Sequence, residues 1–367
     1  MSKKLLSGYT TGTHATAVFG AVLSEYFLKT QLNYFDVILP KSTLYAKIKV
    51  KRQNRYHYST VKVDNDDLDV TKGCCIYAKL FLKTPKDLKN QKPSSIKVKD
   101  TTIFIYGGDG VGIVTKNGLK IEPNYPAINP VPLDMMKEVA KELVKQGYLK
   151  NLHIVISVDD GEKIAKQTAN QKVGVIGGIS ILGTKGIVKP VSADAYIDSI
   201  EAEISVIDAS KFNEIVFTLG NTAYDYAINH YEAQKVVEIG NYIYDASKKL
   251  KGTNFKKMIF ITSVAKMCKI AQGFKNTHNR FGSIDFKMVD TWLKEEVGVN
   301  LGADECLTLK ATLEKLTTQQ TKHFLNFLGS KAGENFKKWL LSMDIKIQEL
   351  DIITLNNSEV SKGRLVW

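Results

Sequence analysis

Apolar residues recur at helical spacing in three parts of the chain, and each part predicts a helix. The first is expected to begin after Thr13 and to bury one side, with the Thr13 hydroxyl as N-cap. Residues 127–147 predict the second, with Pro132 near its start and Gly147 at its end. The run "ADAYIDSIEAEISVIDASK", residues 193–211, predicts the third, which we expect to connect two domains.

Short apolar runs bounded by turn residues and charges predict strands. Between the first two helices these runs indicate a mixed or antiparallel sheet, and "HIVISV" adds a strand after the second helix. The five runs are "YFDVIL", "LYAKIKV", "CCIYAKLFL", "SSIKVKD" and "TIFIY". In the second half, "EIVFTLGN", "VVEIGN" and "KKMIFITS" each give a strand followed by a helical segment, which is typical of a parallel sheet.

The two different patterns of strands and helices predict two domains with a mixture of α+β and α/β character. We expect residues 1–208 to form a mixed-sheet α/β sandwich with glycine-rich loops. Residues 209–367 should form a smaller, parallel-sheet, Rossmann-like βαβ domain with a C-terminal tail. The length of 367 residues agrees with this division, because one domain usually takes roughly 100 to 200 residues.

Composition narrows the class of protein. With 44% hydrophobic and 24% charged residues, the chain is globular rather than disordered or fibrous. No apolar stretch approaches the roughly 18 to 20 residues that span a bilayer, and the first residues lack the apolar segment of a signal peptide. We therefore expect a cytoplasmic protein without membrane contact. The four cysteines form no CxxC pair, and we predict no metal site in the protein.

The formal net charge of +13 favours an anionic partner, either nucleic acid or a polyanionic small molecule. Many lysines alternate with apolar residues, as in "KIKVKRQNRYHY", which is typical of the solvated face of a sheet. This pattern disfavours nucleic acid and leaves a small polyanion as the expected partner. A homo-oligomer stays an open alternative.

Glycine-rich turns supply the candidate ligand sites. The loop "YGGDGVGIVTKNGL" follows an apolar strand, and its backbone amides could approach a phosphate or carboxylate, but it lacks the GxGxxG spacing of dinucleotide sites. The segment "GGISILGTKG" nearly matches a P-loop but has "GTK" in place of "GK[ST]", which disfavours an NTPase. The pair Gly220–Asn221 recurs as Gly240–Asn241; each is either a turn with a cap or a ligand site at the carboxyl end of a strand.

Seven segments, in this order, resemble the cobalt-precorrin-5B C(1)-methyltransferase family of anaerobic cobalamin biosynthesis. They extend from residue 8 to about residue 290, and the chain beyond contributes little. They read "GYTTGTHATA", "DDLDVTKG", "GGDGVGIVTKNGL", "AINPVP", "VGVIGGISILGTKGIVKPVS", "GN" and "GFKNTH".

The resemblance implies an S-adenosylmethionine-dependent methylation of C-1 of a cobalt-containing tetrapyrrole, giving cobalt-precorrin-6A. Such a substrate carries many carboxylates, which suits the basic chain, and it brings its own cobalt. Methyl transfer to carbon requires positioning more than a nucleophile, with Asp109 or His278 as candidate base.

We assign the remaining candidate residues by their loops. Donor-binding candidates are Gly107, Gly108, Asp109, Gly110, Gly112, Gly220 and Asn221. Substrate-binding candidates are Thr10, Thr11, Thr13, His14, Lys116, Thr184, Lys185, Lys189, Asn276, Thr277 and Arg280.

Three departures from the family pattern keep an alternative open. The first motif usually reads "TTGTCA", with cysteine where this chain has His14, and proline usually precedes the glycine where this chain has Leu219. The segment "SVAKMCKIAQ" also lacks the glycine and histidine that the family commonly has there. His14 would then act as a hydrogen-bond partner or as an axial contact to the substrate's cobalt. The alternative is a non-catalytic or altered-specificity tetrapyrrole-binding paralogue.

Overall fold

The computed structural model describes residues 8–40, 42–63, 69–88, 91–183, 185–188, 193–302, 308–356 and 359–367. They form a mixed α and β protein with two compact units, Met1–Ala193 and Asp194–Trp367. The predicted boundary at residue 208 lies at the end of a helix that belongs almost entirely to the second unit. Within the described residues, no helix combines the length and apolar character needed to cross a membrane.

The first unit contains three α-helices and many short strands in its described part. The helices are α1 (Thr11–Leu28), α2 (Pro130–Leu143) and α3 (Gly161–Ala165), with a 3-10 turn at Lys86–Leu88. The strands are β1 (Gly8–Tyr9), β2 (Tyr34–Ile38), β3 (Tyr45–Lys49), β4 (Lys51–Asn54), β5 (His57–Val61), β6 (Cys75–Phe81), β7 (Ser94–Val98), β8 (Thr101–Gly107), β9 (Gly110–Val111), β10 (Ile113–Val114), β11 (Leu152–Val158), β12 (Val175–Ile176), β13 (Gly178–Ile179) and β14 (Ile187–Val188).

A six-stranded mixed sheet with the order β4-β5-β6-β11-β8-β7 is the centre of the first unit. Only the β11–β8 pair within it is parallel, and the other neighbours are antiparallel. Helix α1 packs on β5 and β6, and its Phe19 joins Ile76 and Ile103 in a core that is closed to solvent. The mixed sheet predicted for this half of the chain is confirmed.

Helix α1 differs from its prediction in two ways. Its N-cap is Thr10, whose hydroxyl accepts from the Thr13 amide, so the prediction that Thr13 caps the helix was wrong. The helix is also buried on nearly every side rather than on one. The reason is its small residues: a Cβ added to Gly20 would lie 2.2 Å from the ring of Phe35, so only glycine allows this close approach.

The second unit is built around a five-stranded sheet. Its strands are β15 (Glu214–Leu219), β16 (Val236–Glu238), β17 (Lys257–Ser263), β18 (Glu349–Asn356) and β19 (Glu359–Val366). Its helices are α4 (Ala193–Ala209), α5 (Asn221–His230), α6 (Ile243–Lys248), α7 (Val264–Ala271), α8 (Phe286–Trp292), α9 (Leu309–Leu313) and α10 (Thr318–Ser342). A π-helical turn spans Leu293–Val297, and 3-10 turns span Ala233–Lys235 and Asn279–Phe281.

The sheet of the second unit has the order β16-β15-β17-β18-β19, and all pairs except β18–β19 are parallel. The parallel strands predicted from the strand and helix rhythm are therefore confirmed. The chain leaves β15 through α5 to reach β16 on one side, whereas β17 lies on the other side of β15. The direction of winding thus reverses between β15 and β17.

The C-terminal part of the chain is a structural component of the second unit rather than a tail. Helix α10 begins with a capping box, in which the Thr317 hydroxyl accepts from the Gln320 amide and the Gln320 side chain accepts from the Thr317 amide. Its Phe336 ring packs 4.8 Å from that of Phe260 in β17. Strand β18 pairs with the whole of β17, from Lys257 to Ser263, so the C-terminal residues complete the sheet.

Candidate functional site

The threonine-rich segment at residues 10–13 is hydrogen-bonded to the segment at 182–186. The Thr11 hydroxyl donates to the Leu182 carbonyl at 3.2 Å and accepts from the Leu182 amide at 3.0 Å. The Thr13 hydroxyl donates to the Gly186 carbonyl at 2.8 Å, and β1 pairs with β14. The structure therefore brings two separate glycine-rich motifs together, and these threonine side chains form the junction. Their assignment as substrate ligands stays a prediction.

His14 follows directly and is completely buried. Its Nδ1 lies 3.1 Å from the Thr60 hydroxyl, which donates its single proton to the Lys49 carbonyl at 2.8 Å. Nδ1 must therefore carry a proton, and Nε2 presents a lone pair that has no hydrogen-bond partner among the described residues. Burial, with a smaller effect of the nearby Lys62 ammonium, lowers the pKa of His14 to about 3, so the ring is neutral.

A buried ion pair lies beside His14. Lys62 is 1% exposed and pairs with Asp69, whose other carboxylate oxygen accepts from the amide and hydroxyl of Thr71. Burial alone would raise the pKa of Asp69, but the hydrogen bonds from Lys62 and Thr71 hold it below its usual range. Nothing in the motif "DDLDVTKG" itself indicates that its last aspartate, Asp69, pairs with a buried lysine.

The glycines of the 107–112 loop allow backbone segments to pack closely. A Cβ on Gly110 would lie 1.9 Å from the Val158 carbonyl oxygen, and one on Gly178 would lie 2.2 Å from the Gly110 oxygen. The amides of Gly107, Gly108, Val111 and Gly112 already donate to acceptors within the unit. Asp109 is exposed at the tip of the loop. The loop thus offers a ligand one carboxylate and few free amides.

The predicted basic contacts of the first unit are dispersed. Lys116 is exposed, its Nζ donates to the Lys172 carbonyl at 3.3 Å, and its methylene groups cover Gly174. Lys185 is exposed next to the Gly186 turn. Thr184 and Lys189 lie outside the described residues.

In the second unit, the two GN turns lie at the carboxyl ends of neighbouring strands, as predicted. Gly220 follows β15 with a φ of +98°, and the exposed Asn221 begins α5. Asn241 follows β16, and its side-chain oxygen accepts from the Thr277 hydroxyl at 2.8 Å. The "GN" and "KNTH" motifs are therefore in direct contact.

A buried lysine that the sequence analysis missed holds the loop that carries His278. Lys269 Nζ donates to the carbonyls of Thr277 and Gly282 and to the side chain of Asn279, at 2.9 to 3.1 Å. His278 itself is exposed, and its Nδ1 accepts from the Arg280 amide.

The remaining predicted residues of this loop are also turn residues. The Asn276 side chain accepts from the His278 amide, and the guanidinium of Arg280 lies 4.7 Å from the centroid of the Phe281 ring. The structure therefore groups the predicted residues into two sets, one in each unit.

Comparison with known proteins identifies the family. Residues 1–190 match the CbiD family. The cobalt-precorrin-5B C(1)-methyltransferase of Thermoanaerobacter sp. (strain X514) is 33% identical over 339 residues, which cover 91% of this chain and 85% of that protein. The chain belongs to the CbiD family. The family resemblance stated from the seven motifs is confirmed.

A second curated relative supports the same family, and one solved structure also matches part of the chain. A cobalt-precorrin-5B C(1)-methyltransferase of Methanococcus maripaludis (strain C5 / ATCC BAA-1333) is 37% identical over 280 residues, 74% of this chain and 73% of that protein. The crystal structure of the cobalamin biosynthesis protein cbiD from Archaeoglobus fulgidus is 25% identical, covers 70% of this chain and 77% of that one, and aligns with a TM-score of 0.38.

Proposed function

We propose that this chain methylates C-1 of cobalt-precorrin-5B to give cobalt-precorrin-6A, with S-adenosylmethionine as methyl donor. The observation that carries the proposal is the identity of 33% across 91% of this chain with a relative named for that reaction. The cobalt belongs to the substrate, so the protein has no need to supply a metal ligand.

The chain's main contribution would be positioning. S-Adenosylmethionine, when bound, supplies a methyl group that is already activated as a sulfonium. Holding both reactants in line can lower the barrier by as much as ~7 to 11 kcal/mol, so no protein nucleophile is required. Burial raises the pKa of Cys74 to about 11 and that of Cys268 to about 12, which keeps both thiols protonated and unreactive near pH 7.

Of the two candidate bases, hydrogen bonding favours Asp109. Nδ1 of His278 accepts from the Arg280 amide, so a neutral His278 carries its proton on Nε2 and has no free lone pair there. Asp109 is an exposed carboxylate on a rigid loop, since its carbonyl accepts from the Val158 amide at 2.8 Å. We therefore propose Asp109 as the group that removes a ring proton.

Two places in the chain suit parts of the donor. The 107–112 loop offers the Asp109 carboxylate for ribose hydroxyls or an ammonium group. At the carboxyl ends of β15 and β17, Gly220 leaves open space, in which an added Cβ would come within 4 Å of one atom of the described residues, Lys266 Nζ, at 3.0 Å. The second place combines a close backbone approach with a cation, which suits the donor's carboxylate.

The substrate side of the proposal rests on charge. A tetrapyrrole with many carboxylates fits a chain of net charge +13, and we propose that Lys116, Lys185, Lys189 and Arg280 contact it. We propose a cytoplasmic enzyme with no nucleic-acid partner, in which the first unit is an α/β sandwich domain and the second a Rossmann-like domain.

The decisive experiment is incubation of the purified chain with cobalt-precorrin-5B and methyl-labelled S-adenosylmethionine, followed by mass analysis. The expected product carries one labelled methyl group at C-1. Label at another ring position would indicate altered specificity. Tetrapyrrole binding without any labelled product would favour the non-catalytic paralogue, which the histidine at position 14 keeps as the second candidate.

A further inference from the structure

Two charged side chains lie near each other at one edge of the second unit. Glu238 ends β16, and Lys266 lies in the first turn of α7, directly after β17. Both are half-buried, and no hydrogen bond or ion pair engages either charged group within the described part of the chain. Burial lowers the pKa of Lys266, and the nearby Glu238 carboxylate offsets part of that effect.

The sheet topology places both residues where open parallel sheets bind ligands. The direction of winding reverses between β15 and β17, and ligands of such sheets lie outside the carboxyl ends of the strands at this point. Gly220 ends β15 there, and Lys266 Nζ would lie 3.0 Å from a Cβ at Gly220. The Lys266 ammonium group is therefore next to the Gly220 turn, where a ligand can approach the backbone closely.

Glu238 occupies the position of a ribose ligand in a nucleoside site. It ends the strand that follows the Gly220 turn, roughly 20 residues farther along the chain, where an acidic residue binds ribose hydroxyls in dinucleotide folds. The rings of Tyr196 and Tyr242 lie 5.6 Å apart beside the same strand end, and the Tyr196 hydroxyl donates to the Glu238 carbonyl at 3.2 Å. Tyr196 is 39% exposed, so an aromatic surface is available for a flat base.

The charge pattern selects the kind of ligand. A polycarboxylate would gain from Lys266 but would be repelled by Glu238. A nucleoside with a zwitterionic amino-acid tail satisfies both, because its ribose hydroxyls donate to a carboxylate and its own carboxylate accepts from an ammonium. The methyl donor of the proposed reaction has this composition.

We propose that Glu238 binds the ribose hydroxyls of the methyl donor and Lys266 its carboxylate, above Gly220 at the carboxyl ends of β16, β15 and β17. This inference rests on the proposed function for the identity of the donor. Of the two places that suit parts of the donor, it selects the one in the second unit.

The test is calorimetric titration of the full chain with two probes. S-Adenosylhomocysteine keeps both the ribose and the carboxylate, whereas methylthioadenosine lacks the amino-acid tail. Glu238→Gln should weaken both probes at least about tenfold, the loss of about one charge-assisted hydrogen bond. Lys266→Met should weaken S-adenosylhomocysteine by a similar factor and leave methylthioadenosine within twofold of the unchanged protein.

Matched controls are Glu296→Gln and Lys251→Met, which remove the same charges at exposed positions of the same unit and should change neither affinity. Glu238→Asp and Lys266→Arg form a second pair that keeps the charges and should give intermediate affinities. Since neither side chain has a hydrogen bond or ion pair to another described residue, all variants should melt close to the temperature of the unchanged protein, and a clearly lower melting temperature for Lys266→Met would contradict that premise.

The proposal fails if the unchanged chain does not bind S-adenosylhomocysteine, if Lys266→Met binds it normally, or if Lys266→Met weakens both probes equally. The two proposals remain separable. Labelled product together with normal donor binding by both variants would refute this site but not the reaction. The expected binding pattern without any labelled product would refute the reaction but not the site.

Discussion

Gly110→Ala tests whether the glycines of the 107–112 loop are required for backbone packing. Gly110 has a φ of +73°, and its hypothetical Cβ lies 1.9 Å from the Val158 carbonyl oxygen and 3.0 Å from the carbonyl carbon. The carbonyl is not free to move away, because the Val158 amide donates to the Asp109 carbonyl at 2.8 Å and β11 pairs on both sides. Alanine must therefore push two strand ends apart.

The magnitude follows from two contributions. A non-glycine residue in the left-handed region costs about 1 to 2 kcal/mol. Forcing a methyl group into a packed site typically costs about 1 to 3 kcal/mol more. The matched control is Gly147→Ala, since Gly147 has a φ of +72° but nothing within 4 Å of its hypothetical Cβ. Gly147→Ala should therefore be destabilised only by the left-handed backbone conformation.

The assay is thermal and urea unfolding of both variants beside the unchanged chain. A difference of about 1 to 3 kcal/mol between them corresponds to a melting temperature lower by roughly 2 to 12 °C for Gly110→Ala, at about 2 to 4 °C per kcal/mol in a unit of this size. Equal melting temperatures for the two variants would show that contact with Val158 contributes nothing and that only the backbone conformation matters.

Four further outcomes are expected. The folded pKa of His14, about 3, lies below its unfolded value of 6.5, so only the unfolded chain gains a proton as the pH falls below 6.5. The contribution of His14 to the free energy of unfolding is therefore fully present above pH 6.5 and falls by about 1.4 kcal/mol per pH unit towards pH 3. In His14→Cys, the free energy of unfolding measured with urea should depend less on pH over this range. Thr11→Val removes both hydrogen bonds to Leu182 and should lower the free energy of unfolding by about 1 to 3 kcal/mol; an unchanged urea midpoint would contradict this. Asp109→Ala should reduce turnover while leaving the melting temperature unchanged, and normal turnover would remove Asp109 from the reaction. Apparent affinity for the polycarboxylate substrate should weaken between low and high salt, and Lys116→Met should reduce this dependence; a flat affinity would count against basic contacts.

Periodicity was sufficient to predict the regular elements but not their environment. The strands around Phe217 and Phe260 are short apolar runs, and the helix over residues 130–143 has a proline start, so local pattern determines both. Helix α1 has apolar residues at helical spacing, yet Gly20 and its small neighbours let other elements pack on all sides. Whether a small residue is exposed or closely packed depends on the distant segment that meets it, which a single sequence does not contain.

In the candidate sites, too, the local sequence predicts some features, whereas others depend on distant segments. The glycine loops were recognised from composition, but the pairing of Thr11 with Leu182 joins residues 171 positions apart, and no local signal indicates it. Lys62, Lys266 and Lys269 resembled the many exposed lysines of a chain with net charge +13. Only the three-dimensional arrangement separates an ammonium held by three acceptors, as in Lys269, from one with no hydrogen bond or ion pair in the described part of the chain, as in Lys266.

The junction between residues 8–13 and residues 182–188 also constrains how the protein is made. Strand β1 pairs with β14, and the Thr13 hydroxyl donates to the Gly186 carbonyl, so both depend on the far end of the first unit. A growing chain must therefore expose the start of α1 until the segment at 182–188 has also left the ribosome. Contacts of such large sequence separation form slowly, because the loop-closure entropy is lost before the contact energy is gained. During synthesis the apolar residues of α1 are a natural binding segment for chaperones, and slower translation beyond residue 190 would give the first unit time to close.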